Sequence, residues 1–178
     1  MITWIKKQKF NKLIKENLDG LFQLAYMRCT NKELAEDLVQ ETCIKALNSY
    51  LKKDFIENPK AWLYRILINT HIDHTRKKQL SLVDIEGLEF ADNNTPNKNA
   101  ETNIFFKDLN TALTDLDTEQ RAIIYLSDIE EYSYKEVSEI LEIPLGTVMS
   151  RIYRARQSLR KSLVKKGYSR DYVKAGES

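Results

Sequence analysis

Residues 133–163 read SYKEVSEILEIPLGTVMSRIYRARQSLRKSL, and this stretch decides the fold of the second half of the chain. Ser133 with Glu136 three residues on has the spacing of a capping box, in which hydroxyl and carboxylate satisfy the open amides at a helix start. A short helix follows, with Val137, Ile140 and Leu141 on one face. The segment Glu142-Ile143-Pro144-Leu145-Gly146-Thr147-Val148 makes a short break, and a basic helix then runs to about Lys166. Val148, Ile152, Ala155, Leu159 and Leu163 recur every three or four residues and form its core stripe. Ser150, Arg154, Gln157 and Lys161 fall on the opposite side, with Arg151 and Tyr153 beside them. Short helix, tight turn and longer basic helix predict a helix-turn-helix. A row of Arg, Ser and Gln can enter a major groove and bond base edges, while Lys161, Lys165 and Lys166 lie further on, where phosphates run. The competing reading is an amphipathic hairpin with a solvated basic face. The capped entry, the short turn and the absence of acid from Gly146 to Lys166 favour DNA.

Upstream, Asp117 and Gln120 have the spacing of a second capping box, ahead of the apolar run Ala122-Ile123-Ile124-Tyr125-Leu126. Ile104, Phe105, Leu109, Ala112, Leu113 and Leu116 carry helical periodicity before it. Further back, Asp92-Asn93-Asn94-Thr95-Pro96-Asn97-Lys98-Asn99 is polar and Asn-rich, with too little apolar surface to offset the entropy of ordering, and reads as a flexible linker. The first half is helical again. Lys9 to Met27 has apolar residues at Phe10, Leu13, Ile14, Leu18, Leu21, Phe22 and Ala25. A second helix starts near Thr30 or Asn31 and runs to about Tyr50, with the stripe Leu34, Ala35, Leu38, Val39, Thr42 and Ala46. A third opens at Asn58-Pro59, where Asn caps and Pro suits the first helical position, and runs through Trp62, Leu63, Ile66, Leu67 and Thr70 to Lys78. The chain is therefore read as all-α: two small helical domains, 1–79 and 104–178, joined by a flexible linker at 80–103.

Composition agrees. Only 5 glycines and 3 prolines in 178 residues disfavour a turn-rich β fold. No stretch approaches the roughly 20 apolar residues of a membrane span, and residues 1–7 lack the apolar core of a signal peptide, so a cytoplasmic protein without membrane insertion is expected. Cys29 and Cys43 read as two reduced, buried thiols. His71 and His74, with Asp73 between them, lack further ligands to complete a metal site. No phosphate loop, nucleophile elbow or acid/base carboxylate pair is recognisable, so neither catalysis nor a cofactor is expected. The net charge of +2 is distributed unevenly. Lys60, Arg65, Arg76, Lys77 and Lys78 face Asp73 alone, while Asp84, Glu86, Glu89, Asp92 and Glu101 face Lys98. Two basic helix ends thus flank an acidic connector, a pattern that suits phosphate neutralisation or, more blandly, solvated faces.

The run from Ser133 to Arg156 resembles region 4 of the extracytoplasmic function (ECF) sigma factors of the sigma-70 family, above all in Ile143-Pro144-Leu145-Gly146-Thr147-Val148-Met149-Ser150-Arg151 and Arg154-Ala155-Arg156. The resemblance implies that this domain binds the −35 promoter element and the flap of the polymerase β subunit. Met149, Ser150, Tyr153 and Arg154 match the base-contacting positions. Many members carry Arg or Lys where this chain has Met149. Ala35 to Ala46 is similar to region 2.2, which implies docking on the coiled coil of the polymerase β′ subunit. Asp37, Gln40 and Glu41 share one helix face that could meet basic residues, although Glu33, Glu36 and Asp37 near the helix start also favour its dipole. Asn58 to Lys78 is similar to regions 2.3 and 2.4, which implies melting and reading of the −10 element. Trp62, Arg65, Asn69, Asp73 and Arg76 form a stripe there, with Lys77 at its basic end. Trp62 suits stacking on an unpaired base and core packing equally. In the family, the loop at about Leu51 to Glu57 holds a base flipped out of the melted strand.

The expectation is thus a sigma factor that carries bacterial core RNA polymerase to particular promoters, with an anti-sigma factor as further partner and the linker running near the RNA path. Two other classes compete. One is a helix-turn-helix regulator that acts without joining polymerase. The other is a small enzyme or helical protein-binding module, which predicts no DNA binding by the second half.

Overall fold

The computed structural model describes residues 2–53, 55–81 and 111–168, and every regular element among them is helical. Expectations placed on residues 82–110, including most of the linker and the residues Ile104, Phe105 and Leu109, lie outside the described residues. The contacts separate two compact units.

The first unit holds α1 (Ile2–Cys29), α2 (Lys32–Tyr50) and α3 (Pro59–Ser81), which pack pairwise. Apolar side chains from all three meet in its core: Leu21, Leu24 and Ala25 from α1, Ala35, Leu38 and Ala46 from α2, and Leu63, Tyr64 and Leu67 from α3. Helix α1 begins seven residues ahead of the start that periodicity marks. Its first turns are held by tertiary contact instead: Phe10 is buried and Lys6 Nζ donates to the Lys53 carbonyl at 3.0 Å. Leu18, expected in the core stripe, is exposed, because it lies about 80° round the helix from the line through Phe10, Leu21 and Arg28. Arg28 at the end of that line is buried and donates from Nε to His71 Nδ1 at 3.2 Å, so His71 serves the packing of α1 on α3.

The cap expected at Asn58 forms, and Asn31, one of the two starts expected for α2, caps that helix as well. The Leu34 amide donates to Asn31 Oδ1 at 2.8 Å, and the Ala61 amide to Asn58 Oδ1 at 3.1 Å. Such caps stabilise a helix by about 1 kcal/mol each. Helix α3 continues through residues 80 and 81, the first two of the stretch read as linker.

In the second unit residues 111–114 are helical, and Ala112, Leu113 and Leu116 are buried. The Asp117 box closes: the Gln120 amide donates to Asp117 Oδ1 at 2.7 Å, and the Asp117 amide to Gln120 Oε1 at 3.3 Å. It starts α4 (Thr118–Ile124), which widens into a π-helical turn at Tyr125–Ile129. Helix α5 (Tyr134–Leu141) opens on the Ser133 box, where the Ser133 amide donates to Glu136 Oε2 at 2.9 Å and the Glu136 amide to Ser133 Oγ at 3.3 Å. The Ser133 hydroxyl also donates to Glu136 Oε2 at 2.7 Å, and this bond first, then that of the Ser133 amide, holds the Glu136 carboxyl below its ordinary pKa. Helix α6 (Leu145–Lys165) packs on α4.

Candidate nucleic-acid interface

The turn between α5 and α6 is made by Glu142, whose φ of 55° puts it in the left-handed region. Ser138 Oγ donates to the Ile143 carbonyl at 2.6 Å and the Ile143 amide returns a bond to Ser138 O at 3.2 Å, which fixes the exit from α5. Pro144 then opens α6: its carbonyl accepts from the Thr147 and Val148 amides at 2.9 and 3.1 Å. The helix therefore starts three residues before the end of the expected break, and Gly146 sits inside its first turn.

The core stripe of α6 is where the sequence puts it. Val148, Ile152, Ala155 and Leu163 are buried and Leu159 is half-buried. The opposite side presents Met149, Ser150, Tyr153, Arg154 and Lys161 to solvent, with Gln157 half-buried at its edge. Ser150 Oγ donates to Thr147 O at 3.0 Å and Arg154 Nε to Ser150 O at 3.3 Å, so both lie against the helix. Arg151 stands apart from this face. It is half-buried and Nη1 donates to Glu119 Oε2 at 3.1 Å, which engages it with α4. Arg156 likewise belongs to the fold, bound to Asp128 of the π turn.

On α3, Arg65, Asn69, Asp73, Arg76 and Lys77 are all exposed, and the first four share one row. Trp62 at the head of the row is half-buried. Its ring lies 6.3 Å from that of Tyr50, which in turn lies 5.3 Å from Phe10, and Lys53 Nζ stands 5.9 Å from the Trp62 centroid. Trp62 thus packs through one face while retaining accessible surface. Phe55, in the connection between α2 and α3, is 81% exposed. Sequence reasoning marked that loop and missed this residue, although a lone aromatic between two helical patterns was the available signal.

On α2, Asp37 and Gln40 are exposed and Glu41 is half-buried. Ile44, one turn further on, is 63% exposed and adds an apolar element to that face. Lys45 sits between this face and the row on α3, with Nζ 3.0 Å from Glu41 Oε1 and 3.4 Å from Asp73 Oδ2. Burial lowers the Lys45 pKa, but the hydrogen bonds and charges of Glu41 and Asp73 outweigh it and leave the net shift upward. Cys43, beside this face, is half-buried, and burial pushes its thiol up, away from reactivity. Among the described residues no cluster of three or more His, Cys, Asp or Glu side chains could hold a metal ion. No helix among them is long and apolar enough to cross a membrane.

Two family models match the chain: sigma-70 region 2 over residues 13–80 and sigma-70 region 4 over residues 106–159. The chain is 34% identical over 163 residues to the ECF RNA polymerase sigma factor SigE of Mycolicibacterium smegmatis, covering 88% of this chain and 62% of that protein. It is 35% identical over 156 residues to the ECF RNA polymerase sigma factor SigW of Bacillus subtilis, covering 82% and 83%. Among solved structures it is similar to the sigma factor RpoE of Bartonella quintana, crystallised with the anti-sigma factor NepR, with a TM-score of 0.72 and 28% identity over 88% of this chain and 97% of that one.

Proposed function

The chain belongs to the ECF group of the sigma-70 family of RNA polymerase sigma factors, and from that membership we propose that it carries bacterial core RNA polymerase to a particular set of promoters and starts transcription there. The observation that carries this reading is the exposed, acid-free face of α6, set on a helix-turn-helix, in a chain whose other unit bears a separate acidic face on α2 and a basic row on α3. Met149, Ser150, Tyr153, Arg154 and Gln157 address the −35 element, and Lys161 meets phosphate. Arg151, tied to Glu119, orients α6 from the side. Arg65, Asn69, Arg76 and Lys77, with the open edge of Trp62, hold the unpaired −10 strand, and Asp73 shapes that row through Lys45. Asp37, Gln40 and Glu41 dock on the β′ coiled coil of polymerase, and the second unit also meets the β flap. Polymerase performs the chemistry, so the protein acts in the cytoplasm as a recognition subunit.

A further partner is an anti-sigma factor. The similarity to RpoE, solved with NepR, supports this assignment. Run-off transcription with purified core polymerase tests the central reading. Synthesis from specific start sites only when this protein is added is expected. DNA binding without such synthesis would leave a helix-turn-helix regulator that works apart from polymerase.

A further inference from the structure

The first fifteen residues carry five lysines, Lys6, Lys7, Lys9, Lys12 and Lys15, with no arginine and no acid. Trp4 and Ile5 stand beside them, 65% and 44% exposed. Buried Phe10 marks the inward side of α1. A step of about 100° per residue then puts Trp4, Ile5, Lys9, Lys12 and Lys15 within about 80° of the opposite direction. All five are exposed. The first turn of α1 holds no acid, although the helix dipole favours one there, so helix stability does not account for the pattern. Lys6 is engaged by the Lys53 carbonyl, and Lys12 stands 3.8 Å from Glu16 with both side chains mostly in solvent. Lys9 and Lys15 pair with no acid among the described residues. Glu16 and Asp19 then bring acid onto the same outward side. Charge thus changes sign along α1, and only its first part, about four turns, suits an anionic partner.

Two features choose the anion. Every cation of the patch is lysine, a compact point charge that serves a diffuse anionic field, whereas the planar fork of arginine suits individual phosphates and carboxylates. Trp4, with Ile5 beside it, is the kind of side chain that settles at a membrane–water boundary, its ring in the apolar layer and its N–H among polar groups. Lysine stems are apolar and let the ammonium reach the headgroups while the helix lies lower. We infer that the outward face of α1 docks on the surface of an anionic lipid bilayer. Trp4 and Ile5 enter the boundary between headgroups and acyl chains, and Lys9, Lys12 and Lys15 meet the headgroups. The helix lies tilted with its Trp4 end down, because the surface repels Glu16 and Asp19. Attachment is peripheral, for no helix among the described residues is long and apolar enough to cross a membrane. An apolar element of two side chains keeps it reversible, so the protein exchanges with solution.

The test floats the full chain with vesicles of phosphatidylglycerol and phosphatidylcholine in equal parts, beside vesicles of phosphatidylcholine alone. The wild type is expected to float with the first and not with the second. Salt at about 0.5 M should release it, since the screening length falls to about 4 Å. Trp4→Ala should weaken association at least about tenfold. Lys9→Gln and Lys12→Gln should each weaken it about fivefold. Bromine-labelled acyl chains should quench tryptophan emission in the wild type and not in Trp4→Phe, which separates Trp4 from Trp62. The replaced side chains are exposed, so thermal melts and lipid-free run-off transcription should be unchanged, which distinguishes a lost surface from a lost fold. No flotation with anionic vesicles overturns the inference, as does equal flotation with neutral ones or full retention by Trp4→Ala. Weaker duplex DNA binding by Lys9→Gln, with no vesicle association, would make the patch a nucleic-acid contact and overturn it too. Wild-type protein that floats as expected but fails in run-off transcription would strike the promoter reading and leave the lipid surface standing.

Discussion

Arg156 lies across Asp128, with Nη2 2.8 Å from Oδ1 and Nε 3.2 Å from Oδ2, and so joins α6 to the π turn at the end of α4. Its hydrogen bond to Asp128, chief among several influences, raises an already high pKa. Tyr134 adds its hydroxyl 3.4 Å from Nη1. A basic residue of α6 is thereby committed to holding that helix in place. Both partners keep about a third of their side-chain surface in solvent, so the coupling is modest, under about 1 kcal/mol. A double-mutant cycle of Asp128→Asn and Arg156→Gln in denaturant melts should return that coupling, with −35 sequence preference unaltered. A shift in preference without any coupling would move Arg156 to the DNA side.

Arg154 is exposed, pairs with no acid among the described residues and is central to the outward face of α6. Arg154→Ala should cost about 1–3 kcal/mol of promoter binding and relax the sequence preference at one base step. Core polymerase binding should be retained, as measured by co-elution with core enzyme. An unchanged promoter profile would contradict its role.

Gly146 separates stability from recognition. A methyl group there meets nothing within 4 Å among the described residues, and alanine is the better helix former, so Gly146→Ala should stabilise the fold by up to about 1 kcal/mol. On the proposed −35 reading of α6 the same methyl group stands on the side that the groove would approach, so promoter affinity should fall. Thermal melting and filter binding of one variant read the two effects together. A variant that is both more stable and equally tight would show that the groove stays clear of this turn.

Lys45 holds two carboxylates at once, Glu41 and Asp73, in largely exposed pairs. Lys45→Met should change stability by less than about 1 kcal/mol. It should tighten core polymerase binding a few-fold at low salt, because Glu41 is released to pair with basic residues on the partner. Capture of a premelted −10 strand should weaken, because Asp73 is left uncompensated beside phosphate. Parallel measurements with core enzyme and with bubble templates check the two directions, and movement of both the same way would undo the assignment.

Tyr132 is half-buried, and burial first, then the charges of Glu130 and Glu136, push its pKa up to about 12. The folded state therefore holds the phenolic proton more tightly than the unfolded state, whose pKa is about 10. This contribution is complete below about pH 10 and is lost as pH rises towards about 12. Tyr132→Phe should flatten that part of the alkaline stability curve in denaturant titrations. An identical alkaline decline in the variant would exclude Tyr132 as its source.

Periodicity and capping chemistry made most of the architecture legible. The stripe Val148, Ile152, Ala155 and Leu163 is buried as its spacing requires, and Asn31, Asn58, Asp117 and Ser133 all cap where their side chains imply. Such signals are local, within one or two helical turns. What escaped depends on distant partners. The pairs Arg151–Glu119, Arg156–Asp128 and Lys45–Asp73 join residues 32, 28 and 28 positions apart, a separation at which no sequence pattern marks complementarity. The early start of α1 escaped for the same reason, since Lys6 reaches the Lys53 carbonyl across the fold. Leu18 was misplaced because a residue at the margin of a stripe satisfies the spacing loosely while its side chain leaves the core.

The ring sequence Phe10, Tyr50, Trp62 ties the end of α2 and the first turn of α3 to α1, on either side of the segment that carries Phe55. Both stems of that segment are consequently immobilised when the domain folds, before any nucleic acid arrives. Its binding should behave as engagement of a preorganised edge, with a small heat-capacity change and little of the ordering penalty that a folding-upon-binding loop incurs.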